Sequence, residues 1–533
     1  MNSELSTNSL LTGSQVFYGK NAIQKNTDAV MQIYDSIKTS YGPFGLDKMC
    51  VDASGNVLIT NDGATILQNM LVSDPAARLM VNLALEQDKE VGDGTTSVVL
   101  LASNLIKKGC DLIIDGVHPS VVVSGYRMAF NESMKYIKDK LARKIEQTDS
   151  QVISSILDTC ISSKIIYQNK DHFIGIVKKC LQSVCNNGKY DLSRVNLLKS
   201  IGGSMEDSEY FDGSILNCSI CSQLMPKRLQ NPKIACLDFS LLKEKLPLTV
   251  NILATDPNKI EEIRNEEIAM TRNKCQAIID SGANLVLCTG GIDEMCVKMF
   301  LNCGIVSVRR VDRKDLCAIA SAAGTTIKKS LVNESNEYSL DGLGSCSSFE
   351  VKHIGEYELC YFSGFPKSMP TVLIKGPNSQ IVDEVERSIN DALQVLKRTL
   401  ESKSVTPGGG SVECALSFLL EDFSSKINLK EHISIYKYSE ALLEIPRLLA
   451  SNAGLDANKL VSSMLYTQNA LFEKGIFDQF IGINVVKGTV QDNLKEGIVE
   501  PTMYKLKALK AATEAAISVL RISEIASFTT PKH

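Results

Sequence analysis

The chain has 533 residues, of which 44% are hydrophobic and 22% are charged, and its formal net charge is −4. This length predicts about three or four domains of ~150 residues each, and the composition is typical of a folded protein. The slightly acidic balance, with no dense block of lysine and arginine, argues against nucleic acid as a partner.

Targeting and metal signals are weak. Residues 1–20 are polar, and no apolar run approaches the ~18 residues that a membrane-spanning helix needs, so we expect a cytoplasmic protein that does not contact a membrane. The sixteen cysteines are expected to be reduced and mostly buried. Cys218 and Cys221 form a C-x-x-C pair without a second pair at zinc-ribbon spacing, and the five histidines are scattered.

The N-terminal part of the chain is predicted to be mainly helical. Apolar residues at helical spacing predict helices over 21–40, 75–85 and 98–106. The first of these is expected to end at Gly42 and Pro43. Two short strands are predicted at 48–51 and 57–60, and the exit of this hairpin places Asp62 at a junction between a strand and a helix.

The middle of the chain has the pattern of an α/β region. Strands are predicted at 234–237, 248–253, 284–288, 305–308 and 371–374, with a helix at 259–279. Gly202-Gly203 precedes this block and Gly376-Pro377 follows it, which predicts an inserted domain between glycine hinges. A helix over 381–400 then leads into a second mostly helical part.

Residues 92–97, which we call the phosphate loop, read Gly-Asp-Gly-Thr-Thr-Ser at the start of a predicted helix. Glycines allow backbone N–H groups to approach an anion, and the helix start adds partial positive charge. Asp93 could hold Mg²⁺, and the hydroxyls of Thr95, Thr96 and Ser97 could bond phosphate oxygens. The same hexapeptide also suits a turn with Thr95 as helix N-cap, so both interpretations stay open.

Other junctions are equally ambiguous from local chemistry. Gly42 either contacts a phosphate or, as we favour, simply ends its helix. Asp62 could polarise an attacking water or cap a helix, and residues 408–410 could face a nucleotide base or form a flexible connection. Asp391 follows Arg387 by four residues, which favours an exposed ion pair on one helix face.

The common nucleotide-binding motifs do not occur. The chain contains no G-x-x-x-x-G-K-[ST] motif, and no G-x-G-x-x-G motif follows a predicted strand. P-loop, kinase and Rossmann sites are therefore disfavoured. Residue chemistry alone predicts a hinged nucleotide-binding protein whose site is assembled from distant loops.

Longer stretches make the chain resemble the group II chaperonins over essentially its whole length. These stretches are 41–49, 60–67, 88–97 and 407–410. Stretches 226–228, 234–240 and 400–405 narrow the resemblance to one subunit type of the eukaryotic cytosolic chaperonin TRiC/CCT. The resemblance implies an ATP-hydrolysing subunit of a hetero-oligomeric double ring that encloses and folds cytosolic proteins such as actin and tubulin.

The resemblance also implies a domain organisation. A mainly helical equatorial ATPase domain would comprise 1–149 and 405–533, and an intermediate hinge domain would comprise 150–219 and 370–404. An inserted α/β apical domain would comprise 220–369, with a helical lid protrusion at about 243–274 and a client-facing helix near 293–301.

Finally, the resemblance implies roles for single residues toward ATP or ADP and Mg²⁺. Asp93 would be the Mg²⁺ ligand, Asp62 and Asp391 would position the attacking water, and Lys164 would sense the terminal phosphate. Phosphate contacts are implied for Gly42, Gly94, Thr95, Thr96 and Ser97. Base and ribose contacts are implied for Gly409, Asn484 and Glu500.

Overall fold

The structure, a computed structural model, describes residues 15–51, 55, 57–145, 150–186, 188–243, 257–331, 338–354, 357–473 and 480–527. The chain divides into two compact units. The first unit comprises Met1–Ile174 and Arg387–His533, and the second comprises Gly175–Glu386. The two ends of the chain therefore fold together, and the middle of the chain forms a unit of its own.

The N-terminal part is mostly helical, as predicted. Its elements are β1 (Gln15–Tyr18), α1 (Gly19–Ile37), β2 (Lys48–Val51), β3 (Val57–Thr60), α2 (Gly63–Asn69), α3 (Pro75–Val91), α4 (Thr95–Ile114), α5 (Pro119–Tyr136), β4 (Arg143–Lys144), α6 (Ser150–Ile161) and α7 (Lys170–Val184). Helix α7 contributes residues to both units.

The middle part alternates strands and helices. Its elements are β5 (Cys185–Asn186), β6 (Lys189–Tyr190), β7 (Asn196–Ile201), β8 (Glu209–Phe211), β9 (Gly213–Leu216), β10 (Arg228–Gln230), β11 (Lys233–Leu237), α8 (Pro257–Asp280), β12 (Leu285–Cys288), α9 (Glu294–Asn302), β13 (Val306–Val308), α10 (Arg313–Ala323), β14 (Gly344–Ser345), β15 (Ser348–Ile354), β16 (Tyr357–Ser363) and β17 (Thr371–Gly376).

The C-terminal part returns to helices. Its elements are α11 (Ser379–Ser402), β18 (Ser404–Pro407), α12 (Ser411–Lys426), α13 (His432–Leu442), α14 (Glu444–Asn452), α15 (Ala457–Glu473), β19 (Ile481–Asn484), β20 (Thr489–Asp492), β21 (Val499–Pro501), α16 (Thr502–Leu520) and β22 (Glu524–Ser527). Helix α11 also contributes residues to both units.

Helix α4 lies at the centre of the first unit. It packs against α1, α3, α13 and α16, which come from both ends of the chain. A helix that is apolar on nearly every side is a core helix, and the first half of α4 has that character. Its fully buried apolar residues include Val98, Val99, Leu100, Ala102, Leu105 and Ile106.

Small sheets close the first unit around this helical core. Strand β1 pairs antiparallel with β22, so the described ends of the chain are joined directly. Strand β18 pairs antiparallel with both β21 and β4, which brings residues 404–407 beside residues 499–501. The hairpin of β2 and β3 and the hairpin of β19 and β20 are further small sheets among the described residues of this unit.

The described residues of the second unit form two four-stranded sheets, one three-stranded sheet and the short pair of β5 and β6. One sheet has the order β13-β12-β11-β14 with parallel pairs at its centre, and the other, β10-β15-β16-β9, is antiparallel. Parallel strands buried on both faces are expected to be continuously apolar. All of β12 and the four buried residues of β11 are apolar, whereas β13 has the buried Ser307 between two valines. In the three-stranded sheet β17 pairs parallel with β7.

The two glycine breaks around the middle block lie side by side. Gly202, the residue after β7, donates its N–H to the carbonyl of Gly376, the last residue of β17, at 2.8 Å. Gly202 and Gly203 have φ values of 119° and 84°, a region that favours glycine. The division of the chain into three domains remains a prediction.

Most predicted elements agree with the structure in position and type. The two hairpin strands are confirmed residue for residue, and the helix predicted at 381–400 is observed as α11. The helix predicted at 75–85 continues to Val91. The polar residues after position 85 were expected to end the helix, but they remain helical, and Gln87 among them is buried. The strand predicted at 248–253 and much of the proposed protrusion lie outside the described residues.

The central position of α4 leads to a stability prediction. Replacing Leu100 by alanine removes a fully buried side chain, so we expect the free energy of unfolding to fall by about 2–5 kcal/mol. Leu71→Ala is the matched control, because Leu71 is fully exposed and the same change should cost less than about 0.5 kcal/mol. Urea denaturation of both purified variants measures the difference, and equal midpoints would contradict this view of the core.

Candidate functional site

The phosphate loop connects helices α3 and α4 through two left-handed glycines. Helix α3 ends at Gly92 with φ 82°, and Gly94, with φ 77°, precedes the first residue of α4. The Gly94 N–H donates to Asp93 Oδ1 at 2.6 Å, which holds the Asp93 carboxylate at the helix start. The N–H groups of the first turn of α4 have no intrahelical acceptor and are free to bind an anion.

Gly94 is required at its position for a second reason. A Cβ added to Gly94 would lie 1.7 Å from Cε2 of the Tyr504 ring, which packs directly against the loop. The Tyr504 hydroxyl is hydrogen-bonded to Ser97 Oγ at 2.5 Å. Sequence analysis did not find Tyr504, because nothing local in α16 relates it to a loop some four hundred positions earlier.

Asp62 lies beside the phosphate loop and caps α2. Its carboxylate accepts hydrogen bonds from Thr65 N at 2.9 Å, Thr65 Oγ1 at 2.6 Å and Thr95 Oγ1 at 3.1 Å. Burial acts to raise the pKa of Asp62, but the Thr65 hydrogen bonds and the Lys164 charge outweigh it and lower the pKa. Asp62 is therefore an ionised acceptor, and it is a helix cap as well as a wall of the site.

Asp391 forms a largely buried ion pair with Lys164. The prediction, from helical spacing, of an exposed ion pair between Asp391 and Arg387 is therefore wrong. The Asp391 and Lys164 side chains are only 15% and 14% exposed. Arg387 instead donates to Thr60 Oγ1 at 3.1 Å, two residues before Asp62. Arg387 and Asp391 do lie four residues apart on helix α11, as predicted. The ionic partner of Asp391, however, is Lys164, which is distant in the sequence.

The charges around this pair influence one another. Burial raises the pKa of Asp391 to about 7, and the Asp62 and Asp93 carboxylates act in the same direction against the Lys164 ammonium. Asp391 and its neighbouring carboxylates in turn hold the pKa of Lys164 well above its usual value, although burial alone would lower it. We call Asp62, Asp93, Asp391 and Lys164 the acidic cluster.

Two further residues lie at the acidic cluster, and one of them fixes its position. Asn61 Nδ2 donates to the Ser163 carbonyl at 3.1 Å, which ties the residue before Asp62 to the residue before Lys164. Asp88, on the last turn of α3, faces the same charges, and burial together with Asp62 and Asp93 raises its pKa. Neither residue was singled out from the sequence.

Gly42 lies in a turn on another side of the phosphate loop. It has φ 88°, and its carbonyl accepts from Gly45 N at 2.9 Å. Asn452 Nδ2 donates to the Tyr41 carbonyl at 2.8 Å, which holds the turn against α14. Burial raises the pKa of the Tyr41 phenol and the Ser97 hydroxyl acts to lower it, so this turn and the phosphate loop are neighbours.

The three residues predicted to contact a nucleoside also lie together. Residue Thr406 of β18 pairs with Glu500 of β21, and Gly409 follows three residues later. Ile483 N donates to the Gly409 carbonyl at 3.0 Å, immediately before Asn484. The backbones approach closely there, since a Cβ on Gly409 would lie 2.5 Å from the Ile483 carbonyl oxygen.

Their side chains already have partners within the chain. Asn484 Oδ1 accepts from the N–H groups of Val486 and Lys487, both at 3.1 Å. Glu500 is partly buried and pairs with Lys505 Nζ at 2.7 Å, and the same ammonium pairs with Glu413 at 2.8 Å. Sequence analysis missed Lys505 and Glu413, because an ion pair between helices α12 and α16 leaves no local signature.

The residues present suit a magnesium nucleotide. Carboxylate and hydroxyl oxygens are the ligands that Mg²⁺ prefers, and the acidic cluster and phosphate loop supply both. The anion-binding chemistry comes from the first turn of α4, where Thr95 and Ser97 are buried. The Thr95 hydroxyl donates to Asp62, so it has to exchange that bond to donate to a phosphate. The Ser97 hydroxyl is bonded to the Tyr504 hydroxyl and can form a further hydrogen bond without losing that one.

Comparison with known proteins identifies the family. A model of the TCP-1/cpn60 chaperonin family matches residues 33–528, a span that includes every residue given a role above. The chain belongs to the TCP-1/cpn60 chaperonin family. The resemblance drawn from the motifs is therefore confirmed.

Individual relatives of this chaperonin chain support the narrower resemblance to the alpha-subunit type. T-complex protein 1 subunit alpha of Encephalitozoon cuniculi is 51% identical over 530 residues, which cover 98% of both chains. The protein of that name from Arabidopsis thaliana is 40% identical and covers 95% of both chains. Thermosome subunit alpha of Aeropyrum pernix is 37% identical over 97% of this chain and 93% of its own.

Among the described residues of this chaperonin chain, no helix is both long enough and apolar enough to span a membrane. The described cysteines are all free thiols, and many of them are buried, as expected for small hydrophobic residues.

The contact between Gly94 and Tyr504 leads to a second prediction. Gly94→Ala adds a methyl group where the Tyr504 ring lies, so we expect it to destabilise the chain by clearly more than the ~1 kcal/mol that a left-handed alanine costs alone. Gly116→Ala is the matched control, because Gly116 has φ 101° just after the same helix and nothing within 4 Å of the added Cβ. Equal losses of unfolding free energy in the two variants would contradict the tight contact.

Proposed function

We propose that this chain is an ATP-hydrolysing subunit of a group II chaperonin and uses the energy of hydrolysis to fold other proteins. The observation that supports it best is the convergence of Asp62, Asp391 and Lys164 with the phosphate loop at the buried start of α4. These residues come from three distant parts of the sequence. An arrangement that buries several charges is costly unless the charges act on a ligand.

The proposed ligands are ATP and Mg²⁺, with Asp93 as the metal ligand. Bound Mg²⁺ neutralises charge on the phosphates and on the leaving group during phosphoryl transfer. The first turn of α4, with Gly94, Thr95, Thr96 and Ser97, would bind phosphate oxygens, and Gly42 would do so from the adjacent turn. Gly409, Asn484 and Glu500 would contact the base and ribose, and Glu500 would be held in position by Lys505.

Asp62 and Asp391 would orient the attacking water. Little covalent chemistry is required of the protein in such a reaction, because positioning and electrostatic stabilisation provide most of the rate. Asp62 is ionised and fixed by four hydrogen bonds, so it is a pre-organised acceptor. Lys164, now bonded to Asp391, would contact the terminal phosphate and leave Asp391 able to accept a proton from water.

Helix α11 offers a route from hydrolysis to conformational change. It carries Asp391 and has residues in both compact units. We therefore propose that Asp391 belongs to an intermediate domain, 150–219 with 370–404, between an equatorial domain, 1–149 with 405–533, and an apical domain, 220–369. Completion of the site only when α11 is in place would couple ATP hydrolysis to closure of a lid formed by about 243–274.

The proposed assembly is a hetero-oligomeric double ring in the cytoplasm. It is supported by relatives named as subunits of T-complex protein 1 and of the thermosome. Clients would be unfolded cytosolic proteins such as actin and tubulin, and α9, which Asp293 caps, would contribute to their binding surface. Neither nucleic acid nor a membrane is a proposed partner.

The catalytic proposal is tested at Asp391. Asp391→Asn keeps the size of the side chain but removes the negative charge, so we expect bound ATP to be hydrolysed at least about 100-fold more slowly while ATP binding persists. Asp383→Asn is the control on the same helix, because Asp383 is an exposed partner of Lys199. Single-turnover hydrolysis, measured in an assembly in which only this subunit is active, should be slow for the first variant alone. Unchanged hydrolysis in Asp391→Asn would remove Asp391 from the mechanism.

The assembly proposal has an independent test. A ring chaperonin purified through this chain should have a mass many times that of one chain and contain related subunits, whereas a free phosphotransferase would be a monomer or small oligomer. Light scattering combined with mass spectrometry of the native complex distinguishes them. A small particle with bound ATP would exclude the ring while leaving the nucleotide site intact.

A further inference from the structure

Two consecutive residues at the start of α16 contact two different parts of the candidate site. Tyr504 packs under Gly94 and is hydrogen-bonded to Ser97 of the phosphate loop. Lys505 is paired with Glu500 of β21 and Glu413 of α12. The first turn of this one helix therefore connects the phosphate side of the site with the proposed ribose side.

Tyr504 is held rigidly. Its side chain is buried, and the neighbouring Lys505 is only 7% exposed and fixed by carboxylates from two other elements. The Lys505 ammonium also lies 5.1 Å from the centre of the Tyr504 ring. With the helix turn fixed in this way, the position of the Tyr504 hydroxyl is determined by its surroundings rather than by the loop it contacts.

The hydrogen bond between the Tyr504 hydroxyl and Ser97 Oγ affects where the Ser97 hydroxyl can direct its own proton. A serine hydroxyl has one proton and can accept two hydrogen bonds. When the phenol of Tyr504 donates to Ser97 Oγ, the serine proton remains available for an outside acceptor. Burial keeps the pKa of Tyr504 well above its usual value, so its phenol stays a neutral donor. A phosphate oxygen is such an acceptor.

We propose that Tyr504 is a positioning residue for the nucleotide phosphates: its ring fixes the Gly94 turn, and its hydroxyl orients Ser97 toward the bound phosphate. The inference depends on the proposed function, because it requires ATP at the phosphate loop. It adds a residue that does not itself touch the nucleotide. Phenylalanine would fill the same space as Tyr504, so a purely structural role would require only the ring. The hydroxyl is therefore the group whose removal tests the positioning role.

The chain offers a closely matched control in Tyr438. This tyrosine is fully buried, and its hydroxyl is bonded to Thr513 Oγ1 at 2.7 Å. Thr513 belongs to α16 as Tyr504 does, so Tyr438→Phe removes the same kind of tyrosine–hydroxyl bond from the same helix. The two changes should cost similar stability, and only one of them lies at the phosphate loop.

The test measures binding of ATP, ADP and adenosine to the full chain in its native assembly by titration calorimetry. For Tyr504→Phe we expect ATP and ADP to bind about three- to tenfold more weakly, the loss typical of one hydrogen bond, with adenosine binding unchanged. Ser97→Ala should give the same loss, and the double variant should lose no more than either single variant. Tyr438→Phe should bind all three ligands as the unaltered chain does.

Several outcomes would overturn the inference. ATP binding by Tyr504→Phe equal to that of the unaltered chain would show that the hydroxyl has no positioning role. Equal losses for ATP and adenosine, or losses that add in the double variant, would show a general structural defect instead. If the unaltered chain bound no ATP, both this inference and the proposed function would fail, whereas the first two results leave the proposed function standing.

Discussion

The burial of the start of α4 is the constraint on which the candidate site depends. The first turn of any helix leaves N–H groups without intrahelical partners, and here that turn lies inside the core of its unit, with Thr95 and Ser97 buried. Polar groups in such a place need partners. Asp62, the Tyr504 hydroxyl and the proposed phosphates provide them, and the two left-handed glycines, Gly92 and Gly94, make the close approach possible.

The charged groups around this helix start are better explained by function than by stability. Burying an ion pair rarely stabilises a protein relative to apolar residues of the same size, yet Lys164 with Asp391 and Lys505 with its two glutamates are all largely buried. The apolar packing of α4 against α16 supplies the stability, and the ion pairs supply fixed positions and charge. Burial, and to a smaller extent the Asp62 and Asp93 carboxylates, raises the pKa of Asp391, which is the cost of placing a third carboxylate in this environment.

Elements with a strong local signal could be predicted well. The hairpin of β2 and β3 follows from two β-rich runs, and the cap position of Asp62 follows from its place between a strand and a helix. Gly202 and Gly376 were recognised as breaks, but their direct hydrogen bond depends on the pairing of β7 with β17, which are far apart in sequence. The helix end at 85 was placed too early, because the burial of Gln87 depends on tertiary packing.

The sequence by itself determined the phosphate loop, most helix and strand positions and membership of a chaperonin family, because glycine placement, capping residues and hydrophobic spacing act over a few neighbouring residues. Only the tertiary structure decided which distant groups meet. It paired Asp391 with Lys164 rather than with Arg387, and it placed Tyr504 beneath Gly94. These contacts join segments separated by hundreds of residues, and their geometry depends on how whole helices pack, which no short pattern encodes.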